Sequence, residues 1–110
     1  MLLHLALADD WRAAQAVGEY AVSTRGATLT QVGFVHCSTA EQWRGVRERF
    51  YSDLPDDALV LLSIDEARLT AEVRWEPPAP GVTELFPHVY GPVPTVAVVA
   101  VESVRLADPQ

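Results

Sequence analysis

The apolar residues of this chain come in short, separated runs, and that spacing limits what it can fold into. Leu2 to Leu7, Ala58 to Ile64 and Thr95 to Val104 are each of strand length. None approaches the roughly twenty residues of a membrane-spanning helix. Two other stretches repeat apolar residues at helical spacing: Trp11, Ala14 and Gly18, then Trp43, Val46 and Phe50. With 110 residues there is room for one domain and one core. The expected architecture is a single α+β domain over residues 1–110, with five to six strands in a mixed sheet and two helices.

Local signals punctuate this pattern. Asp9 or Asp10 is expected to cap a helix over Trp11 to Val17, which Gly18 ends. Glu19 to Gln31 reads as a long loop with at most one short turn, and Gly33 to Cys37 as a second strand. Ser38-Thr39-Ala40-Glu41 matches a capping box ahead of a helix reaching about Tyr51, with Trp43, Val46 and Phe50 as its buried stripe. Asp53 to Asp57 reads as a turn, Ala58 to Ile64 as a central strand, and Asp65 to Leu69 as a helical turn. In Ala71 to Glu76, Val73 and Trp75 face one way and Glu72, Arg74 and Glu76 the other. Pro77, Pro78, Pro80 and Gly81 form a stiff loop. Phe86 to Tyr90 is extended, Thr95 to Val104 is the last strand, and Leu106 to Gln110 is expected to fray.

Charge excludes several classes of partner and chemistry. The formal net charge is −7, and no basic cluster stands ready for a phosphate backbone, so no nucleic-acid partner is expected. Arg44, Arg47 and Arg49 are interleaved with Glu41 and Glu48 and read as a solvated helix face. All eight basic residues are arginine, so there is no Schiff-base lysine and no phosphate-loop lysine. The single cysteine, Cys37, has no internal disulfide partner. The N-terminus lacks the features of a signal peptide, which makes the cytoplasm the expected location, without a membrane association.

Histidine is the side chain suited to proton transfer near neutral pH. All three, His4, His36 and His88, fall on expected strands among apolar neighbours, which points to a shared site. Strand alternation sends His36 and Cys37 to opposite faces, so Cys37 is read as a buried apolar residue rather than a nucleophile. Phe34, His36 and, if the strand extends, Ser38 share a face, as do His88 and Tyr90. Three histidines can hold a zinc ion, but no pair stands at helical i,i+4 spacing and no cysteine pair exists, so no metal site is assigned. Glu76, at a strand end before the proline loop, and Glu84, before Leu85, are the candidate carboxylates. Ser38 is first a helix cap, although a helix N-terminus also receives anions.

Taken together, these segments resemble a bacterial family, domain of unknown function 952. The resemblance rests on His4, Trp11, Gly33-Phe34-Val35-His36-Cys37-Ser38, Ile64-Asp65, Trp75-Glu76 and Phe86-Pro87-His88-Val89-Tyr90-Gly91, and so covers nearly the whole chain. One departure is Val32, where the family usually has an acid. The family in turn is similar to the ADP-ribosyltransferase fold superfamily, which implies a split, mixed β-sheet and a cleft for a nicotinamide dinucleotide. By that resemblance His4 would hold a ribose and His36 or Ser38 would fall at the position that lines the nicotinamide; His4, Phe34, Ser38 and Tyr90 are the expected cofactor-binding residues. The position of the stabilising acid falls near His88 and Tyr90, where no acid stands, so Glu76 or Glu84 would have to substitute.

The expectation is therefore an enzyme-like protein that binds NAD or a related nucleotide, with His36, His88 and Glu76 as catalytic candidates, for ADP-ribosyl transfer or NAD cleavage. Two alternatives stay open. One is an NAD-independent acid–base enzyme acting on a small metabolite. The other is a non-catalytic module that binds a ligand or partner.

Overall fold

The computed structural model describes residues 1–107. The chain opens with strand β1 (Leu2–Leu7), helix α1 (Ala8–Val17) and three short strands, β2 (Glu19–Tyr20), β3 (Val22–Thr24) and β4 (Ala27–Thr28). A one-turn helix α2 (Leu29–Val32), strand β5 (Val35–His36) and helix α3 (Trp43–Phe50) follow. The second half holds β6 (Leu59–Ile64), β7 (Val73–Glu76), β8 (Phe86–Val89), β9 (Val93–Pro94), β10 (Val98–Ser103) and the short helix α4 (Val104–Ala107). Among the described residues no helix is long and apolar enough to cross a membrane.

Two three-stranded sheets form the frame, ordered β1-β6-β10 and β5-β8-β7. They meet at one bridge, where Leu3 N–H donates to the Ser38 carbonyl at 2.8 Å and Ser38 N–H to the Leu3 carbonyl at 2.7 Å. Six strands thus run β10-β6-β1-β5-β8-β7, with a split between β1 and β5. The residues explain the burial of the first half. On β1 and β6, Leu2, Ala6, Leu62 and Ile64 pack with Trp11 and Ala14 of α1. Their neighbours Leu5, Leu59 and Leu61 point the other way and pack with Trp43 and Val46 of α3. Strands covered on both faces are apolar throughout rather than alternating.

The α+β class, the central place of Ala58 to Ile64 and the helical turn after Asp65 follow the sequence. Other expectations are corrected. Every strand pairing among the described residues is antiparallel, so the sheet is not mixed. Parallel neighbours need a helical crossover within one sheet, and α3 instead carries the chain from β5 to β6, which lie in different halves. Helix α1 starts at Ala8 with no side-chain cap, ahead of Asp9 and Asp10; Gly18 does end it, with φ 98°. The segment expected as a loop, Glu19 to Gln31, contains β2, β3, β4 and the start of α2. The second strand is only Val35–His36, and the last apolar run begins with a 3₁₀ turn over Thr95–Ala97 before β10.

The capping box also moves. Ser38 stands five residues ahead of Trp43, where α3 starts with no side-chain cap at Gln42, and the Gln42 side chain instead accepts from the Thr39 N–H at 3.0 Å. A full capping box forms one helix earlier, between Thr28 and Gln31 of α2. In the stripe of α3, Trp43 and Val46 are buried but Phe50 is 56% exposed, and Tyr51 fills the core in its place. Leu106 and Ala107 belong to α4, where fraying was expected; Asp108, Pro109 and Gln110 lie outside the described residues.

Candidate functional site

The second half-sheet brings the expected residues together through its register. Cys37 N–H donates to the Pro87 carbonyl at 3.0 Å, which makes Cys37 and Pro87 a hydrogen-bonded pair. By alternation His36 and His88, directly opposite each other, form the non-hydrogen-bonded pair, whose Cα atoms approach to about 4.5 Å. Their rings meet: His36 Nδ1 lies 3.2 Å from His88 Nε2. On the other side of β8, Arg74 pairs with His88 and Glu76 with Phe86, which places the Glu76 carboxylate diagonally across from the His88 ring. Glu76 Oε1 lies 2.9 Å from His88 Nδ1 and also accepts from the Tyr90 hydroxyl.

Carboxylate and two imidazoles thus form one line, Glu76–His88–His36, and its hydrogen positions follow from the ends. Glu76 is held below the usual carboxylate range, first by the Tyr90 hydroxyl and then by His88. An ionised carboxylate only accepts, so His88 carries its proton on Nδ1 and offers Nε2 as an acceptor. His36 then donates from Nδ1, and its Nε2 is left with a lone pair. Burial, helped by the neighbouring His88 and His4, lowers the His36 pKa to about 4, so this ring is neutral at pH 7. Phe34 stacks on the His88 ring at 3.9 Å, with the planes 14° apart, and fixes its plane. His88 itself is 1% exposed, while Phe34, His36, Glu76 and Tyr90 are half-buried and form the accessible rim. Arg74 lies over the Tyr90 ring at 4.5 Å and pairs with Glu72 at 3.0 Å.

His4 takes a different place from the other two histidines. It is 3% exposed, and both ring nitrogens are engaged: Nδ1 at 2.6 Å from the His36 carbonyl and Nε2 at 2.8 Å from the Tyr20 hydroxyl. The carbonyl only accepts, so His4 is the Nδ1–H tautomer and Tyr20 donates to Nε2. Burial lowers the His4 pKa to about 4 and raises that of Tyr20, which keeps both in these states. A ribose contact at His4 would require one of these bonds to break. Ser38 is buried beside the bridge to Leu3 rather than at an open helix end. Cys37 is buried and its thiol is pushed up to about 12, so it is no thiolate at neutral pH.

The two candidate carboxylates separate cleanly. Glu76 faces the histidines, whereas Glu84 is exposed and accepts from Gln42 Nε2 at 3.0 Å, near the start of α3. Val32 sits partly exposed at the end of α2, next to Gly33, whose φ of 101° only glycine adopts readily. Two contributors escaped the sequence reading. Tyr20 lies in the segment read as a loop, sixteen residues from His4, and no spacing rule links them. Arg74 shares its strand face with Glu76 by alternation, and that shared face alone flags it.

Comparisons with other proteins cover most of these motifs, His4 lying just outside the matched residues. Residues 5–101 match the family model described as protein of unknown function (DUF952). The crystal structure of protein CC0527 from Caulobacter crescentus is similar over 91% of this chain and 82% of that one, at 26% identity and a TM-score of 0.74. The solution NMR structure of CC0527 matches over 93% of this chain and 82% of that one, at 25% identity and a TM-score of 0.70. No curated protein matches the chain. With the family model running from Leu5 within β1 to Val101 within β10 and covering the segments around His36 and His88, the chain belongs to the DUF952 family of proteins of unknown function.

Proposed function

We propose that the protein is an acid–base enzyme in which His36 meets the substrate while His88 and Glu76 carry away the proton and its charge. The observation that carries this reading is the unbroken line from Glu76 Oε1 through both nitrogens of His88 to His36 Nδ1. His36 Nε2 takes a proton from the substrate; its Nδ1 proton passes to His88 Nε2. The resulting positive charge on His88 lies against the Glu76 carboxylate, and the reverse transfer returns the proton to a leaving group. Such a relay contributes about 10²–10⁴-fold to a rate. Because His36 deprotonates near pH 4, the base form persists from neutral pH down to about pH 5.

A second reading names the ligand as NAD or a related nucleotide, bound in a cytoplasmic setting at the split between the half-sheets. Two observations favour it. The sheet divides at the bridge between Leu3 and Ser38, which separates the two half-sheets beside His4 and His36. An ionised carboxylate, Glu76, stands beside His88 and Tyr90, where that chemistry calls for an acid to stabilise developing positive charge on a ribose. Phe34 and Tyr90 would supply the aromatic walls. Titration calorimetry with NAD and with ADP-ribose tests it. Binding weakened about tenfold or more by His36→Ala or Glu76→Gln, the loss of roughly one good hydrogen bond, is the expected result. No heat from either ligand at millimolar concentration removes the nucleotide and leaves the acid–base reading with another small molecule.

A further inference from the structure

The split in the sheet leaves a backbone group that needs a partner, and His4 supplies it. Leu3 and Ser38 exchange both backbone bonds, so the next pair in that antiparallel register would be Leu5 with His36. Among the described residues no bridge forms there. The backbone of His36 still points that way, because His36 and His88 are the non-hydrogen-bonded pair on the β8 side. A carbonyl turned into a split with no ladder partner is costly when buried. Here it accepts from His4 Nδ1 at 2.6 Å, and His4 in turn accepts from Tyr20 at 2.8 Å. Tyr20 is nearly fully buried and stands edge-on to the His4 ring at 5.0 Å between centroids, so the arm has little freedom to move.

We infer that His4, backed by Tyr20, is a positioning residue: its imidazole replaces the ladder bond lost at the split and so fixes the main chain that carries the His36 ring. This rests on the reading of His36 as the end of the Glu76–His88 relay. The two chains of hydrogen bonds then meet at one residue, Tyr20–His4 at the His36 carbonyl and Glu76–His88 at the His36 ring. The function of the first is mechanical; that of the second is to move protons. The arrangement also gives this chain a use for a strand-one histidine that needs no contact with any ligand.

The test reads the tautomer of His36 by ¹⁵N NMR at pH 7, which requires no substrate. Two variants separate the bond from the bulk: His4→Leu keeps volume but removes the donor, and His4→Asn places an amide N–H near the position of Nδ1. The expected result is one dominant His36 tautomer in the wild type and in His4→Asn. In His4→Leu the tautomer ratio falls about tenfold, the change set by roughly one hydrogen bond. A folded His4→Leu protein with an unchanged His36 signal overturns the proposal, as does a folded His4→Asn protein that lacks it. Where His4→Leu does not fold, Tyr20→Phe decides: it frees His4 Nε2, and an unchanged His36 there is equally fatal. Glu76→Gln keeps the two readings apart. A His36 signal indifferent to Glu76→Gln removes the relay itself, whereas one that responds to Glu76→Gln but not to His4→Leu removes only the positioning role.

Discussion

The two half-sheets have the same plan and opposite chemistry. Each has three antiparallel strands with the middle one buried. In the first, the middle strand β6 offers Leu59, Leu61, Leu62 and Ile64 to two apolar layers. In the second, the middle strand β8 is buried at every position yet carries His88 at its centre. A buried imidazole is tolerated only with both nitrogens satisfied, and Glu76 and His36 do this from the two flanking strands. Apart from His4 of β1, whose ring reaches across to the His36 carbonyl, the first half is held by apolar burial, which is insensitive to pH. The second is held in part by hydrogen bonds whose direction depends on protonation, and that makes it the half able to do chemistry.

If the division is real, damage to the first half should leave the second intact. Leu59→Ala, at a buried site of β6 that pairs with Leu7 and packs against α3, is expected to cost about 2–5 kcal/mol in urea unfolding. The histidine NMR signals should stay as in the wild type; displaced His36 and His88 signals would show that the halves are not separable. Acid should act instead through the buried histidines on both sides of the split, His4 first. The folded-state pKa of His4 is about 4 against an ordinary 6.5, so below pH 6.5 the unfolded chain binds a proton that the folded one refuses. Stability contributed by neutral His4 is therefore present above pH 6.5, falls by about 3 kcal/mol down to about pH 4, and then levels. His36 adds to the loss over the same window. Unfolding midpoints in urea that stay flat from pH 7 to pH 4 would contradict this.

Smaller effects sharpen the boundary. A Cβ on Gly91 would come within 2.6 Å of the Ala71 Cβ, so Gly91→Ala is expected to cost about 1–3 kcal/mol. Combining it with Ala71→Gly should recover part of the loss; no recovery would point to another cause. At the smallest scale, Thr28→Ala should cost about 1 kcal/mol because Thr28 caps α2, while Glu41→Gln changes stability by less than about 0.5 kcal/mol. The opposite order in thermal melts would restore the capping box to Ser38.

Legibility followed the range of the interactions. The apolar runs Leu2 to Leu7 and Ala58 to Ile64 are plain in the sequence because burial on both faces writes itself into consecutive residues, whereas Thr95 to Val104 is as apolar but leaves Val96, Val99 and Val101 exposed. The meeting of His36, His88 and Glu76 was legible in part: alternation put Phe34 with His36 and His88 with Tyr90, but the register that sets His36 opposite His88 is a long-range fact. The motif glycines acquire reasons only in three dimensions, Gly33 through its positive φ and Gly91 through the closeness of Ala71. The capping box at Ser38 does not form because α3 begins five residues later, at Trp43, and the Thr39 N–H bonds the Gln42 side chain. Tyr20 is invisible in the sequence because its partner is set by packing, and the two-residue strand that holds it is too short to show a period.

The central claim is that Glu76, His88 and His36 form one proton line, and ¹⁵N NMR of the three imidazoles at pH 7 tests it most directly. The account predicts that His88 and His36 each carry their proton on Nδ1, and that Glu76→Gln shifts the signals of both rings together. A wild-type His88 protonated on Nε2, or a Glu76→Gln spectrum in which His36 does not move, would contradict it.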